Sequence, residues 1–262
     1  IMQLPIDYVL DYTANLGIPK EKLPRNYSVA LGTASLSPLE ITNPYDGSPI
    51  GRTWLASADQ LEQAIVAAQA AFETTRAQPT FERVRILDAL AVKLKEHRDE
   101  IASLIAREAG KPIRDAEIEA DRGVFTVQIA AEEAKRIEGE VIPLDLLGSS
   151  KGRFGIVRRF AIGPIAGISP FNYPLNLALH KVAPAIASGN PIVLKPPTRD
   201  PLVMLFVARL LDEIGIVPGS LSVLPMNREV GNVMVEDERF ALLSFTGSPD
   251  DGWEMKRRAG RK

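Results

Sequence analysis

Four short apolar runs, each followed by a helical pattern, lie between Gly163 and Gly252 and leave the chain few folds to choose from. They are Ile165-Ala166-Gly167-Ile168-Ser169, Ile192-Val193-Leu194-Lys195, Leu221-Ser222-Val223-Leu224 and Leu242-Leu243-Ser244-Phe245-Thr246. Runs this short and this continuously apolar suit strands buried on both faces of a parallel sheet. Between them, apolar residues recur at helical spacing, as at Leu175, Leu179, Val182 and Ile186. Strand and helix alternating at this interval predict right-handed βαβ units and an open, parallel, Rossmann-like α/β sheet with flanking helices. Such sheets bind ligands outside the carboxyl ends of their strands. Asn172, Lys195, Thr198 and Thr246-Gly247-Ser248 fall at those ends.

The upstream half reads as helices and ribbons. Leu39 to Thr53 predicts a β-ribbon turning at Asn43-Pro44-Tyr45-Asp46-Gly47. Ser57-Ala58-Asp59-Gln60 is a capping-box pattern before Leu61, Ile65, Ala68 and Phe72. Thr80 is a candidate cap for a second helix, and Gly110 with Pro112 stops a third. A fourth runs from about Pro112 to Ile137. These four helices are expected to form one layer on one face of the sheet. In the fourth, Ile118, Arg122, Phe125 and Ile129 share a face, so Arg122 interrupts an apolar stripe. A guanidinium there needs an anionic partner, either an internal glutamate or an anionic group of a ligand. Two extended runs, Glu140 to Leu146 and Arg153 to Ala161, flank Gly148-Ser149-Ser150-Lys151-Gly152 and predict a protruding β-hairpin. Ile1 to Ala34 has no sustained period and is expected to be a surface extension.

The chain has 262 residues and a formal net charge of −2, which gives no nucleic-acid footprint or membrane patch. No apolar run approaches a membrane span, and Ile1 to Leu10 lacks a basic region of the signal-peptide kind, so a cytoplasmic protein is expected. There is no cysteine, and the two histidines, His97 and His180, lack metal-ligand spacing. No metal is expected.

Ser169-Pro170-Phe171-Asn172-Tyr173-Pro174, then Lys195-Pro196-Pro197-Thr198, then Phe245-Thr246-Gly247-Ser248 with Gly252 four further on, resemble the aldehyde dehydrogenase superfamily in order and separation. The resemblance extends from about Leu36 onward. Its nearest flavour is that of the non-phosphorylating glyceraldehyde-3-phosphate and lactaldehyde enzymes. It implies the N-terminal, cofactor-binding half of that fold, with residues 1–139 as extension and helical layer, 140–161 as an oligomerisation hairpin and 162–262 as the Rossmann-like core. The family's catalytic cysteine and general-base glutamate lie downstream of the Thr-Gly-Ser turn, so the expectation is a truncated chain without the catalytic domain. The rival is a non-catalytic nucleotide-binding or assembly protein built on the same half-fold.

Residue by residue, Asn172 reads from its position as a cap for the helix that follows, and by resemblance as the amide donor to an oxyanion. The resemblance places NADP or NAD against Ser169, Pro170, Phe171, Lys195, Thr198, Gly247, Ser248 and Gly252. An acid at the end of the second strand would bind ribose hydroxyls and repel a 2′-phosphate. Thr198 stands there instead, with Arg199 beside it, which admits NADP. Ser248, Pro249, Asp250 and Asp251 make a strong helix start, but two carboxylates are awkward beside a diphosphate. Arg122 and Tyr173 are implied substrate contacts, Arg122 for an anionic aldehyde. A homodimer or homotetramer is implied, with no nucleic acid and no membrane as partner.

Overall fold

The computed structural model describes residues 37–260, so the N-terminal extension read at Ile1–Ala34 lies outside the described residues. β1 (Ser37–Thr42) and β2 (Pro49–Leu55) form the expected antiparallel ribbon, with a register shift between Ile41 and Thr42. α1 (Ala58–Thr75) starts on the anticipated capping box: Gln60 N donates to Ser57 Oγ, and Ser57 N donates to Gln60 Oε1. α2 (Thr80–Glu96) does not use Thr80 as a cap. Pro79 holds the cap position and Thr80 is the first helical residue. α3 (Arg98–Ala109) ends at Gly110 in the left-handed region, φ 67°, and α4 (Ile113–Ala134) follows.

β3 (Glu140–Pro143) and β4 (Phe154–Val157) pair antiparallel as the predicted hairpin. Their apolar side chains face solvent, with Val141, Phe154 and Ile156 each more than 60% exposed. The core follows as β5 (Ile165–Ile168), α5 (Asn176–Ser188), β6 (Ile192–Lys195), α6 (Leu202–Ile214), β7 (Leu221–Val223), α7 (Arg228–Glu236), β8 (Leu242–Phe245) and α8 (Pro249–Arg258). The four strands make one parallel sheet in the order β7-β6-β5-β8. The order reverses at β5, whose neighbours are the next strand and the last one.

Two apolar cores flank this sheet. α2, α3, α4, α5 and α6 pack on one face around Leu87, Leu90, Ile105, Val127, Leu179 and Leu210. α1 does not join that layer. Its Leu61, Ile65 and Ala68 pack on the other face with Val193, Met234 and Phe240, beside α7 and α8. The helical pattern of α1 gave its apolar face but carried no information on which side of the sheet would receive it. Full burial of side chains of this size stabilises by about 1.5–3 kcal/mol each before entropy is counted, so both cores matter.

α4 also turns the opposite way from the sequence expectation. Its buried seam is Ala116, Glu119, Ala120, Gly123, Val127, Ala130, Ala131 and Ala134, while Ile118, Phe125 and Ile129 are exposed and Arg122 lies outside with them. Small residues let α4 approach α3 and α5 closely, which the larger side chains on the other face would prevent. Arg122 is therefore not a buried cation in search of a glutamate.

Candidate functional site

The carboxyl ends of β5, β6 and β8 are tied together by the main chain. Ser169 N donates to Lys195 O at 3.2 Å, and Thr246 N donates to Ile168 O at 3.2 Å. The loops after these strands therefore meet at one crevice beside the point where strand order reverses, where a ligand is expected. Ser169, Pro170, Phe171, Asn172, Lys195, Thr198, Gly247 and Ser248 all sit at this end. A cleft of about 900 Å³ lies elsewhere, running along α5 and the first half of β8 towards the amino-terminal side of the sheet, with Arg76, Arg83, Arg158 and Arg159 in its wall.

Asn172 is exposed in the loop before α5 and does not cap it. Leu175 holds the cap position, and the free amides of Leu175 and Asn176 donate to Glu119 Oε1 of α4 at 3.0 and 3.2 Å. The buried Glu119 also pairs with Lys111 at 2.5 Å. This cap comes from another element, so nothing adjacent in sequence announces it. It leaves the Asn172 amide free of capping duty. Tyr173, next along, is 40% exposed, with Lys111 Nζ 3.8 Å and the Arg122 guanidinium 5.8 Å from its ring centre.

α6 repeats the device. Leu202 N and Val203 N donate to the buried carboxylate of Glu108, on α3, at 2.7 and 3.2 Å. Burial pushes the Glu108 carboxyl up to about 8, against the pull of those amides. Beside it Asp200 is fully buried, neither of its oxygens has a hydrogen-bond partner, and burial raises it to about 7. Asp200 is thus an interior group. Arg199 instead lies over the Phe171 ring, 3.4 Å from its centre, joining the loop after β6 to the loop after β5.

Lys195 rests its alkyl chain against α7. A side chain on Gly231 would come within 3.1 Å of Lys195 Cδ and Cε, so the glycine is needed for this approach. Burial lowers the Lys195 ammonium pKa. The Thr198 hydroxyl donates to Met226 O at 3.1 Å, which commits its proton to the turn before α7. At α8, Ser248 caps as expected, accepting from Asp251 N at 3.2 Å with Pro249 in the first turn. Gly247 passes so close to Phe245 that a Cβ would lie 2.3 Å from Cζ, and Gly252 lies over the same ring. Asp251 is engaged by the Ser248 hydroxyl at 2.7 Å and by Arg228 at 3.2 Å, which occupies one of the two awkward carboxylates.

Lys181 escaped the sequence reading. It is buried, and its Nζ donates to Leu177 O at 3.1 Å and to Thr246 Oγ1 at 2.7 Å, joining α5 to the loop after β8. Burial lowers it to about 8. A lysine beside Val182, inside a largely apolar helix, was the available signal.

The aldehyde dehydrogenase family model matches residues 32–262. The chain belongs to this family. It is 36% identical over 223 residues to the 3-sulfolactaldehyde dehydrogenase of Priestia aryabhattai, covering 85% of this chain and 46% of that one. Among solved structures, aldehyde dehydrogenase 21 from Physcomitrella patens in complex with the reaction product succinate superposes with a TM-score of 0.85 at 45% identity, covering 88% of this chain and 48% of that one. The glyceraldehyde-3-phosphate dehydrogenase GapN of Methanocaldococcus jannaschii, complexed with NADP, gives 0.81 at 35% identity, covering 88% and 50%. The chain thus spans about half the length of the relatives it matches. Solved aldehyde dehydrogenases of this kind carry NADP or NAD+.

The crevice fits such a dinucleotide. Ser169 Oγ is buried without a hydrogen-bond partner, the Lys195 ammonium stands at the end of β6, and the first turn of α8 opens on the same space. Among the described residues no group of three His, Cys, Asp or Glu could hold a metal, and no helix is long and apolar enough to cross a membrane.

Proposed function

We propose that this chain is the cofactor-binding half of an NADP- or NAD-dependent aldehyde dehydrogenase that oxidises an aldehyde bearing an anionic group to its acid. The observation that carries this reading is the convergence of an uncommitted Asn172, Lys195 and the start of α8 at one end of the sheet. The sequence holds no cysteine, so the reaction proposed here takes its nucleophilic thiol from outside residues 1–262. Thiolate attack on the carbonyl carbon leaves a tetrahedral alkoxide, and the Asn172 side-chain N–H donates to that oxygen. A preorganised donor of this kind contributes roughly 3 kcal/mol to the transition state. Lys195 and Thr198 receive the ribose, and the start of α8 receives the diphosphate. A nicotinamide cofactor held by these residues would supply the hydride acceptor. Arg122 beside Tyr173 supports an anionic substrate, as do the sulfonate and phosphate substrates that name two of the relatives. The exposed β3–β4 hairpin is proposed as the subunit contact, since an unpaired apolar ribbon of this kind is marginal alone.

The test uses two proteins. The 262-residue chain should bind NADP or NAD by calorimetry yet produce no NAD(P)H with any aldehyde, having no cysteine. In the protein extended past Lys262, Asn172→Ala should lower kcat by about two orders of magnitude with cofactor binding intact. A fragment that binds no dinucleotide, or an extended protein without aldehyde oxidation, would leave the assembly-protein reading standing.

A further inference from the structure

Asn172 stands between two aromatic residues, and a cation from a different part of the fold lies against each of them. The loop from β5 to α5 is held by the main chain at its two ends. Ser169 N donates to Lys195 O at 3.2 Å, and Tyr173 O accepts from Leu177 N at 3.0 Å. Between those bonds Phe171 and Asn172 are exposed. Downstream, Lys111 Nζ lies 3.8 Å from the centre of the Tyr173 ring. Upstream, the Arg199 guanidinium lies 3.4 Å from the centre of the Phe171 ring. Lys111 comes from the turn between α3 and α4, and Arg199 from the loop after β6. The two cations are held differently. Lys111 is paired with the buried Glu119, and its side chain is 17% exposed. Arg199 is exposed and, among the described residues, makes no ion pair that would draw it off the ring.

We propose that Arg199 is a positioning residue for Asn172: by stacking on Phe171 it fixes the loop so that the Asn172 amide is already aimed where the oxyanion will form. This rests on the role proposed for Asn172 above and adds the group that keeps it in place. A planar guanidinium is drawn to the face of an aromatic ring. Asn172 follows Phe171 directly, so a ring held on its face also holds the peptide that carries the amide. The anchor is itself anchored, because the Thr198 hydroxyl next to Arg199 donates to Met226 O at 3.1 Å. Without the stack, the loop keeps its bonds only at Ser169 and Tyr173 and can swing between them. A reacting or donor group displaced by about 1 Å can lose up to a hundredfold in rate.

The test uses the protein extended past Lys262, with succinate semialdehyde and glyceraldehyde 3-phosphate as substrates. NAD is kept saturating, since it has no 2′-phosphate for Arg199 to meet. Arg199→Gln should lower the single-turnover rate of NADH formation about tenfold, with aldehyde KM and NAD affinity within about twofold of the parent. Arg199→Lys, which keeps a cation for the ring, should recover most of that loss. The deciding comparison is made in Asn172→Ala. There Arg199→Gln should cost nothing further, because no donor remains to be positioned. In the 262-residue chain, Arg199→Gln should lower the ¹⁵N order parameters of Phe171 and Asn172 and leave those of Ile165–Ile168 unchanged. A full rate in Arg199→Gln, the same tenfold loss in the Asn172→Ala background, or unchanged order parameters overturns the proposal. If Asn172→Ala is slow and Arg199→Gln is not, only this inference falls. If neither aldehyde is oxidised, or Asn172→Ala leaves the rate unaltered, the function proposed above falls and takes this inference with it.

Discussion

The four helices that leave the carboxyl ends of the strands begin in two different ways. α5 and α6 are capped from a distance, by Glu119 of α4 and Glu108 of α3, both buried. α7 and α8 cap themselves, through Asn227 and Ser248, at the surface. The first pair is bolted to the helical layer, and its first-turn amides already face a buried carboxyl group. Those helix starts hold the loops of Asn172 and of Lys195 in place but have little left to offer an anion. The second pair keeps its first turn near solvent, and α8 can present amides to a phosphate. Rigidity and the proposed anion binding are thus divided between opposite flanks of the crevice.

The largest effect should come from breaking a remote cap. Glu119→Ala removes the acceptor of two amides and strands Lys111, whose side chain is 17% exposed. It should cost about 3–5 kcal/mol in denaturant unfolding. A loss below about 1 kcal/mol would mean that α5 is held by packing alone.

Asp200→Asn should stabilise, and only at high pH. Burial raises the carboxyl to about 7, above its unfolded range, so the native state holds the proton that the unfolded chain releases. The stability tied to that proton is complete below about pH 4 and is lost as pH rises through about 7. The neutral amide should gain about 2–4 kcal/mol at pH 8.5 and close to nothing at pH 4. Parallel stability curves for the two proteins would show that Asp200 does not titrate in the fold.

Thr198→Glu puts a charge at the joint between the two flanks, where the threonine hydroxyl now meets Met226 O. It should repel a 2′-phosphate and shift the NAD-to-NADP affinity ratio by about 1–3 kcal/mol. Comparable affinities before and after would place the ribose away from this position. The smallest effect belongs to a local cap. Ser248→Ala should cost about 1 kcal/mol, and a loss as large as that of Glu119→Ala would erase the distinction between the flanks.

Much of this was legible in the residues. The four runs at Ile165, Ile192, Leu221 and Leu242 became the four parallel strands, and the Ser57 and Ser248 caps formed where their local patterns said. Local patterns report local bonds. They could not report that Glu119 reaches Leu175 or that Glu108 reaches Leu202, because those partners lie far away in sequence. The seam of α4 was missed for a different reason. Alanine and glycine weigh little in a hydrophobic count, so Ile118, Phe125 and Ile129 drew the eye to the exposed face. Lys181 was hidden by the same habit, as one charge in an apolar helix whose partner, Thr246, arrives from the last strand.

That last strand has a consequence for synthesis. Ile165 pairs with both Ile192 and Leu242, so β5 is joined on one side by the next strand to be made and on the other by the final one. Until the ribosome has delivered Leu242 to Phe245, β5 has one bare edge, and Gly167 in its middle adds no side chain to shield it. A nascent chain paused after β7 therefore exposes an unpaired main-chain edge to its neighbours on a polysome.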